Sequence, residues 1–513
     1  MPTKTTGRDA ARKSPVQVYK RGKLRIVISL VAMLALPGFA IAAVDMSSWA
    51  EFDSIIVSSS QTGCEHIGGD AIAAGFSVDL AHALGDSRSL SARLDESSIS
   101  FLRQNELKIL IWLRCLSGEK VNLGLSVQHA TAGERHEAIS VDGTIDDLLA
   151  LRKKLQINLY KLLSMAAEPH ANQVTDASAY RNYLRAIGSA ANDDNRSKIN
   201  ELKTAIEASD MFGPLWAQLG ATQLRLGEAD FRNAHDHFAA AETSLGNALE
   251  INPTYPLTID ALAAVYMRTG RTEEAAHLVR NAIAARPKSA ALGSRLGYAY
   301  RYAGLLEESV LEYRRSEALD SRLTNVISVE GQIAKALIYQ GRYEDALRSY
   351  DRGRSLLAEY GQKPDEKTLF YEGLTFFYLG QRQKAVQLFG AAYAAKPDSL
   401  WSRFAIAYKY AALDNHEDLI SIAKSIENDN IADGERRYRL AHFYALAGHH
   451  GEAVSHLAAA LEAGNFNYAY ISRDPFLEAI RSTKRYGEII RRMKERHTAF
   501  QESLTENIGG NSK

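Results

Sequence analysis

Cysteine and net charge are what this sequence has least of. Only two cysteines, Cys64 and Cys115, occur among 513 residues, which excludes a thiolate zinc site and a disulfide-dense scaffold. Lysine plus arginine and aspartate plus glutamate both total 61, so the formal charge is zero. Such a chain lacks the net positive charge that attracts the phosphate backbone of nucleic acid, and we expect no nucleic-acid partner.

Catalytic and cofactor motifs are absent from the sequence as well. No nucleophile elbow, zinc-binding helix motif or kinase signature occurs, and the glycines before residue 71 match neither a P-loop nor a dinucleotide fingerprint. His442, His449, His450 and His456 crowd into one segment, but no nearby cysteine or carboxylate pair completes a metal site. The sequence therefore predicts a protein with no enzymatic activity, metal or cofactor.

The first 44 residues have the order of an export signal. Residues 1–25 carry eight basic residues and one acidic residue, and an apolar run from Ile26 to Leu36 follows. Pro37 and Gly38 break that run, and Ala40 and Ala42 supply the small residues that signal peptidase needs. Cleavage after residue 42 or 43 would release the rest of the chain into the periplasm.

An uncleaved membrane anchor is the competing interpretation of the same segment. Ile26 to Val44 gives 19 residues, within the ~17–25 that span a bilayer. Membrane contact would then be made by residues 26–44 alone, with the remainder facing the periplasm. The sequence leaves both a periplasmic and an inner-membrane-anchored protein open.

A repeat of about 34 residues runs through the last two-thirds of the chain. One unit has a large residue, a Leu-small pair and an aromatic, followed by a turn glycine, small residues and a closing proline: Ile259, Leu262, Ala263, Tyr266, Gly270, Ala275, Val279, Ala282 and Pro287. This pattern resembles the tetratricopeptide repeat, a helical hairpin. Glycine permits the turn between helices, and proline ends the unit.

Eight such units are predicted between residues 179 and 470. They begin near residues 179, 213, 256, 290, 327, 366, 400 and 434. The second carries about seven extra residues between His235 and Ser244, which should lengthen its helices, and the seventh lacks the turn glycine. Capping helices are expected over 471–503, because an open solenoid must cover its last apolar face, and a disordered tail over 504–513.

Residues 45–168 have a different sequence pattern, which predicts a small α+β domain. Strands are predicted at 52–57, 107–116, 121–129 and 135–141, with helices at 71–84 and 145–165. The fold class is therefore a small α+β domain followed by an all-α tetratricopeptide solenoid.

The small domain resembles the TolB amino-terminal-type domain. The resemblance rests on the order of strands and helices, on the turns at Gly118 and Thr131, and on two sequence segments, residues 179–186 and 474–477. Domains of this type precede tetratricopeptide arrays in bacterial adenylate cyclases and CadC-like regulators. The sequence contains no cyclase catalytic domain or winged helix, and Ser58–Ser60 replace the usual Pro-Phe, so the resemblance implies only the non-catalytic regions.

Two features of the sequence are candidate sites. Cys64 and Cys115 either form one disulfide in an oxidising compartment or remain separate thiols. In proteins that resemble this one, the inner positions of the first helix of each hairpin bind a protein or peptide. Carried over, these positions are Arg268, Tyr298, Arg301, Tyr302, Lys335, Tyr339, Phe370, Phe377, Tyr378, Phe404, Tyr408, Tyr438 and His442.

Rigid aromatic rings among bases suit a peptide-binding groove, although some of these rings should instead pack between hairpins. We therefore expect an exported scaffold that binds a protein or peptide in its concave groove. The alternative is a membrane-anchored sensory module whose periplasmic domain detects a ligand or partner.

Overall fold

The structure is a computed structural model. It describes residues 54–60, 64, 69–85, 91–94, 106–116, 119–129, 135–163, 176–188, 195–230, 233–320, 323–359, 361–429 and 433–509. The expected export segment, residues 1–44, lies outside the described residues. No helix in the described ranges combines the length and hydropathy needed to cross a bilayer.

A five-stranded sheet opens the described chain. Its elements are β1 Ser54–Ser59, β2 Ser91–Leu94, β3 Glu106–Cys115, β4 Lys120–His129 and β5 Arg135–Thr144, with α1 Gly69–Gly85 crossing from β1 to β2. The strand order is β2-β1-β3-β4-β5, and β1 is parallel to both neighbours while β3, β4 and β5 are antiparallel. Strand β2 was not predicted, because four residues are too few to show alternation.

One face of this sheet carries the core of the small domain. Alternate residues of the central strands point to that face and are fully buried, as with Ile109 and Leu113 on β3 and Leu123 and Val127 on β4. Helices α1 and α2 (Leu148–Leu162) pack there. On the other face the Trp112 ring covers Gly124, where a Cβ atom would lie 2.4 Å from it. The small α+β domain is therefore confirmed.

The first hairpin packs directly on this domain. It consists of α3 Ala177–Gly188 and α4 Asn195–Ala208. A Cβ atom at Gly75 of α1 would lie 2.2 Å from the carbonyl oxygen of Leu184, so the backbones of α1 and α3 touch. Asp79 accepts hydrogen bonds from Tyr180 at 2.8 Å and from Arg152 at 2.7 Å. The sheet and the start of the array thus share one core.

Seven further hairpins follow, each an A helix and a B helix. In order, the pairs are α5 Gly213–Ala229 with α6 Ala234–Ile251, α7 Pro256–Arg268 with α8 Thr272–Ala285, α9 Ala290–Ala303 with α10 Leu306–Leu319, α11 Leu323–Gln340 with α12 Tyr343–Glu359, α13 Glu366–Tyr378 with α14 Arg382–Ala395, α15 Leu400–Ala412 with α16 His416–Glu427, and α17 Gly434–Leu446 with α18 His450–Glu462. Most A helices begin at the residues that the repeat frames predict. As expected, α5 and α6 are long, at 17 and 18 residues against 13 and 14 for α7 and α8.

The turn between the A and B helices has a left-handed residue in six hairpins. Glycine fills this position five times, at residues 270, 304, 341, 380 and 448. The seventh hairpin has Asp414 there with φ of 56°, and Asp414 is the one described non-glycine residue with positive φ. Aspartate is among the few residues that tolerate this conformation, so the repeat keeps its turn without glycine.

The chain ends in a segment that returns across the array. It comprises α19 Tyr468–Ile471, a 3₁₀ helix Pro475–Ile480 and α20 Lys484–Gly509. Helix α20 buries Tyr486, Ile489, Met493 and Phe500 in the core that α7 to α18 share. Because α20 is helical to Gly509, the expectation of disorder is wrong for residues 504–509, and 510–513 lie outside the described residues.

Helix α20 also joins the last hairpin to the third and fourth. Arg496 pairs with Glu273 at the start of α8, with an Nε to Oε1 distance of 2.5 Å. His497 Nδ1 lies 2.6 Å from the carbonyl oxygen of Ala303, and His277 lies 3.1 Å from Ser503. The third and eighth hairpins are therefore linked through α20, and we call the linked set of the third to eighth hairpins the ring.

Candidate functional site: the concave face of the ring

The residues predicted to line a groove all lie on A helices, from α7 to α17. Ten of the thirteen are buried, and Arg268, Tyr298 and Tyr378 are half-buried. An open aromatic groove is therefore wrong for most of these positions, since the chain itself covers them. The expectation that some rings pack between hairpins describes residues such as Phe370, whose ring centroid lies 5.7 Å from that of Trp401.

The carboxyl-terminal segment supplies much of this cover. The Phe476 ring stacks on Tyr378 at a centroid distance of 4.3 Å and lies 4.8 Å from Phe377. Tyr470 stacks on Tyr339 at 4.5 Å. These contacts bury the rings that were expected to bind a partner.

Asp474 connects the carboxyl-terminal segment to the A helices through side-chain contacts. Its carboxylate accepts hydrogen bonds from Tyr438 and, at 3.2 Å, from Tyr378, and it lies 2.8 Å from His442 Nε2. Burial opposes ionisation, but contact with His442 and the bond from Tyr438 outweigh it and lower the pKa of Asp474 to about 2.

The other ring nitrogen of His442 lies 2.6 Å from the hydroxyl of Tyr408. Burial lowers the pKa of His442, so its neutral form is favoured. His442 and Asp474 have no exposed surface, so a substrate cannot reach the connected side chains of Tyr408, His442 and Asp474. It is a structural connection between the terminal segment and the ring.

A second set of buried charges closes the ring at the start of α17. Asp433 is the N-cap of α17, accepts a hydrogen bond from Tyr302 at 2.9 Å and pairs with Arg268 at 2.8 Å. Glu435 pairs with Arg301 at 2.6 Å. Burial opposes ionisation of Glu435, but Arg301 and neighbouring cations hold its pKa well below the ordinary value.

Between these contacts the concave face keeps one large pocket, of about 410 Å³, that opens to solvent. Side chains from α7, α9, α10, α11, α13, α15 and α17 line it. Six are basic, namely Arg268, Arg295, Arg301, Lys335, Lys367 and Arg436. Three are acidic, namely Asp260, Asp433 and Glu435. Four of the predicted groove residues, Arg268, Tyr298, Arg301 and Lys335, meet in this pocket.

The basic groups of the pocket differ in how they are neutralised. Arg295 makes two hydrogen bonds to Asp260, at 2.9 and 3.1 Å. Lys335, which is 4% exposed, instead has its ammonium group 4.2 Å from the centroid of the Tyr371 ring and 5.7 Å from that of Trp401. Burial, together with Lys367 and Arg301, lowers the pKa of Lys335 well below its ordinary value.

Sequence reasoning missed several residues of this site. Trp401, Lys367 and Arg436 line the pocket, and Asp433 and Glu435 close the ring around it. Glu435 lies 134 residues from its partner Arg301, a separation that no repeat frame reveals. The N-cap role of Asp433 was readable, since an aspartate stands directly before the eighth frame.

The remaining candidates lie elsewhere. Cys64 and Cys115 are joined in a disulfide with Cα atoms 5.7 Å apart, so of the two possibilities left open the bridge is the one observed. His449 and His450 lie at the start of α18, and His456 stacks on Tyr444 at 5.1 Å. Across the described part of the chain no three histidine, cysteine, aspartate or glutamate residues group as metal ligands.

No protein-family model and no curated protein matches the chain. The solved structures that resemble it include TTC0263, a thermophilic tetratricopeptide repeat protein of Thermus thermophilus, with 20% identity, a TM-score of 0.32, and coverage of 38% of this chain and 98% of that one. PilW, a type IV pilus biogenesis factor, has 16% identity, a TM-score of 0.38, and coverage of 44% and 98%. The Cut9–Hcn1 structure gives 13% identity, a TM-score of 0.40, and coverage of 69% of each chain. Such likeness is too low to transfer a function, and the tetratricopeptide fold is shown by the hairpins and turns of the chain itself.

Proposed function

We propose that the protein is an exported, non-catalytic scaffold that binds a protein or peptide partner at the mouth of the concave pocket. The observation that carries the proposal is the convergence of A helices from six hairpins on one pocket that opens to solvent. A partner would insert a few side chains there, because the chain's own residues fill the aromatic part of the groove. Lys335, which lines the pocket and makes no salt bridge among the described residues, suits an acidic side chain or a carboxylate end.

Obstruction of the pocket mouth is the direct test of this function. Ser328 is an exposed residue of α11 that lines the pocket, so Ser328→Trp adds bulk without removing a native contact. The matched control is Ser455→Trp, at an exposed position of α18 outside the pocket. The tagged full chain should capture a partner from envelope extract that Ser328→Trp recovers poorly and Ser455→Trp recovers normally. Equal recovery by both variants would refute the proposed surface.

Export is part of the same proposal. It is supported by the basic, apolar and small-residue order of residues 1–44 and by the Cys64–Cys115 disulfide, since such bonds persist mainly in oxidising compartments. The resemblance to TolB amino-terminal-type domains agrees with an envelope protein. Amino-terminal sequencing of the protein recovered from the periplasm should give a start near residue 43. Recovery of the protein only in the cytoplasm would refute export.

A membrane-anchored sensory module is the second candidate function. The observation that favours it is the compact pocket with a buried lysine, which suits a small ligand better than an extended peptide. Its signature is retention of residues 26–44 in the mature protein, found by mass spectrometry of the membrane fraction. A free amino terminus near residue 43 would exclude the anchored form.

A further inference from the structure

The pocket on the concave face is lined by more basic than acidic residues. Its six basic residues face three acidic ones, although the whole protein has no net charge. Two of the three carboxylates are already engaged in closing the ring, and the third, Asp260, is held by Arg295. Among the remaining basic residues, two make no salt bridge in the described part of the chain, and Glu435, which is already paired with Arg301, attracts both of them.

Lys335 and Lys367 are the two basic residues of the pocket that make no salt bridge with a carboxylate anywhere in the described residues. Both instead lie over the Trp401 ring, with ammonium groups 5.7 and 5.2 Å from its centroid. A ring quadrupole compensates a buried ammonium only in part, and two like charges at one ring repel each other.

Arg301 lines the same pocket and has buried N–H donors. Arg301 is 1% exposed and donates a hydrogen bond from Nη1 to Glu435. Its Nε and Nη2 atoms have no partner in hydrogen-bond geometry among the described residues, although the guanidinium interacts with the Tyr313 hydroxyl. Buried donors of this kind are normally satisfied in native structures, by water or by a ligand. Two adjacent N–H groups of a guanidinium match the geometry of a carboxylate or phosphate.

The shape of the pocket limits the size of its ligand. A volume of about 410 Å³ lies in the range of small-molecule sites, and Phe476 and Tyr470 block the neighbouring path along the concave face. A compact molecule with several acidic oxygens fits these limits.

We propose that the pocket is a binding site for a small polyanion of the phosphate or polycarboxylate class, held by Arg301, Lys335 and Lys367. Trp401 forms the aromatic wall beside these groups. The inference goes beyond the scaffold function and requires no protein partner.

Calorimetry of the purified full chain with pyrophosphate, and separately with citrate, tests the site. We expect saturable binding of one ion per chain that weakens as ionic strength rises. Lys335→Met keeps the length and apolar stem of the side chain and removes its charge. This variant should bind at least tenfold more weakly, the loss typical of one charge-assisted hydrogen bond.

The same variant separates a binding role from a structural one. Because Lys335→Met removes a buried positive charge, its melting temperature without ligand should equal or exceed that of the parent, while the rise caused by pyrophosphate should disappear. The exposed Lys396→Met serves as the matched control and should leave both quantities unchanged.

Absence of saturable binding of either ion, or equal binding by Lys335→Met, would overturn the proposal. The ion site and the scaffold surface can be tested separately. If pyrophosphate binds and Ser328→Trp captures the partner normally, the ion site is supported and the scaffold surface is refuted. If pyrophosphate does not bind and Ser328→Trp captures the partner poorly, the scaffold surface is supported and the ion site is refuted.

Discussion

The two ends of the described chain are held together by different kinds of core. Around the sheet, the core is mainly aliphatic, and its strands contribute fully buried residues such as Ile109, Leu113 and Leu123. Around the pocket, the largest fully buried side chains are tyrosines, phenylalanines and two arginines, Arg301 and Arg439. The first core contains the Asp79–Arg152 pair, whereas the second contains several buried charged pairs, such as Arg268 with Asp433 and Arg301 with Glu435.

This difference follows from how each region closes. A sheet closes through the register of neighbouring strands, where alternation alone turns the apolar side chains inward. A solenoid has no such local rule, because each hairpin meets only its neighbours. Closure of the ring depends on pairs such as Arg301 with Glu435, and buried pairs of this kind specify geometry more surely than they add stability. We therefore interpret the buried charges as setting which hairpin meets which.

The largest expected effect comes from breaking the charge pair that closes the ring. Glu435→Gln leaves the buried guanidinium of Arg301 without its carboxylate, which should cost about 3–5 kcal/mol of unfolding free energy. Urea unfolding measures this loss. Glu417→Gln, at an exposed position of α16, is the control and should change stability by less than about 0.5 kcal/mol. A loss for Glu435→Gln as small as the control would mean that the ring closes without this pair.

The disulfide should act on the sheet region alone. Cys64 and Cys115 are 51 residues apart, and on the chain-entropy model their bond contributes about 4 kcal/mol. Cys64→Ser/Cys115→Ser should speed amide hydrogen exchange in β3 and β4 while α9 and α11 exchange as before. Exchange measured by mass spectrometry on peptides from both regions tests this. Equal acceleration in both would show that the two cores unfold together.

Shortening one aromatic side chain of the carboxyl-terminal segment should destabilise the ring and leave the sheet unchanged. Phe476→Ala removes a ring that contacts Tyr378 and Phe377 and should cost about 3 kcal/mol, the low end for a buried phenylalanine, because Phe476 keeps 8% exposure. It should also raise the binding of a hydrophobic dye, since the aromatic groove opens. Leu413→Ala, at a residue that is 55% exposed, is the control. Unchanged dye binding would show that another part of the chain holds the groove shut.

Sequence reasoning succeeded where a signal is local. The repeat frames located the A helices because Gly270 and its counterparts mark the turns of five of the eight hairpins, and Asp414 takes the same conformation in a sixth. It failed where contacts are distant. Tyr378 was read as a peptide-binding ring, and nothing near it in the sequence shows that Phe476, 98 residues later, occupies that place.

The candidate site shows the same division. Arg268, Arg301 and Lys335 are among the predicted groove residues because the position within the repeat sets the face of the helix, and the structure places all three at the pocket. Trp401 and Lys367 were not predicted, because their role depends on how far the ring curves and on which hairpins it brings together. Curvature is the sum of small rotations at every hairpin, and no single residue encodes it.

The smallest expected effect is a pH dependence confined to the ring. Contacts inside the ring lower the pKa of Asp474 from 3.8 to about 2, so its ionised form stabilises the folded state by roughly 2 kcal/mol above pH 4. This stabilisation is lost as the pH falls through about 2, because the folded state then binds the proton that the unfolded chain bound at higher pH. Asp474→Asn should be less stable than the parent at pH 7, and the difference should shrink as the pH falls toward 2. Urea unfolding of both proteins across this range measures it, and a difference that stays constant with pH would mean that Asp474 acts through shape rather than charge.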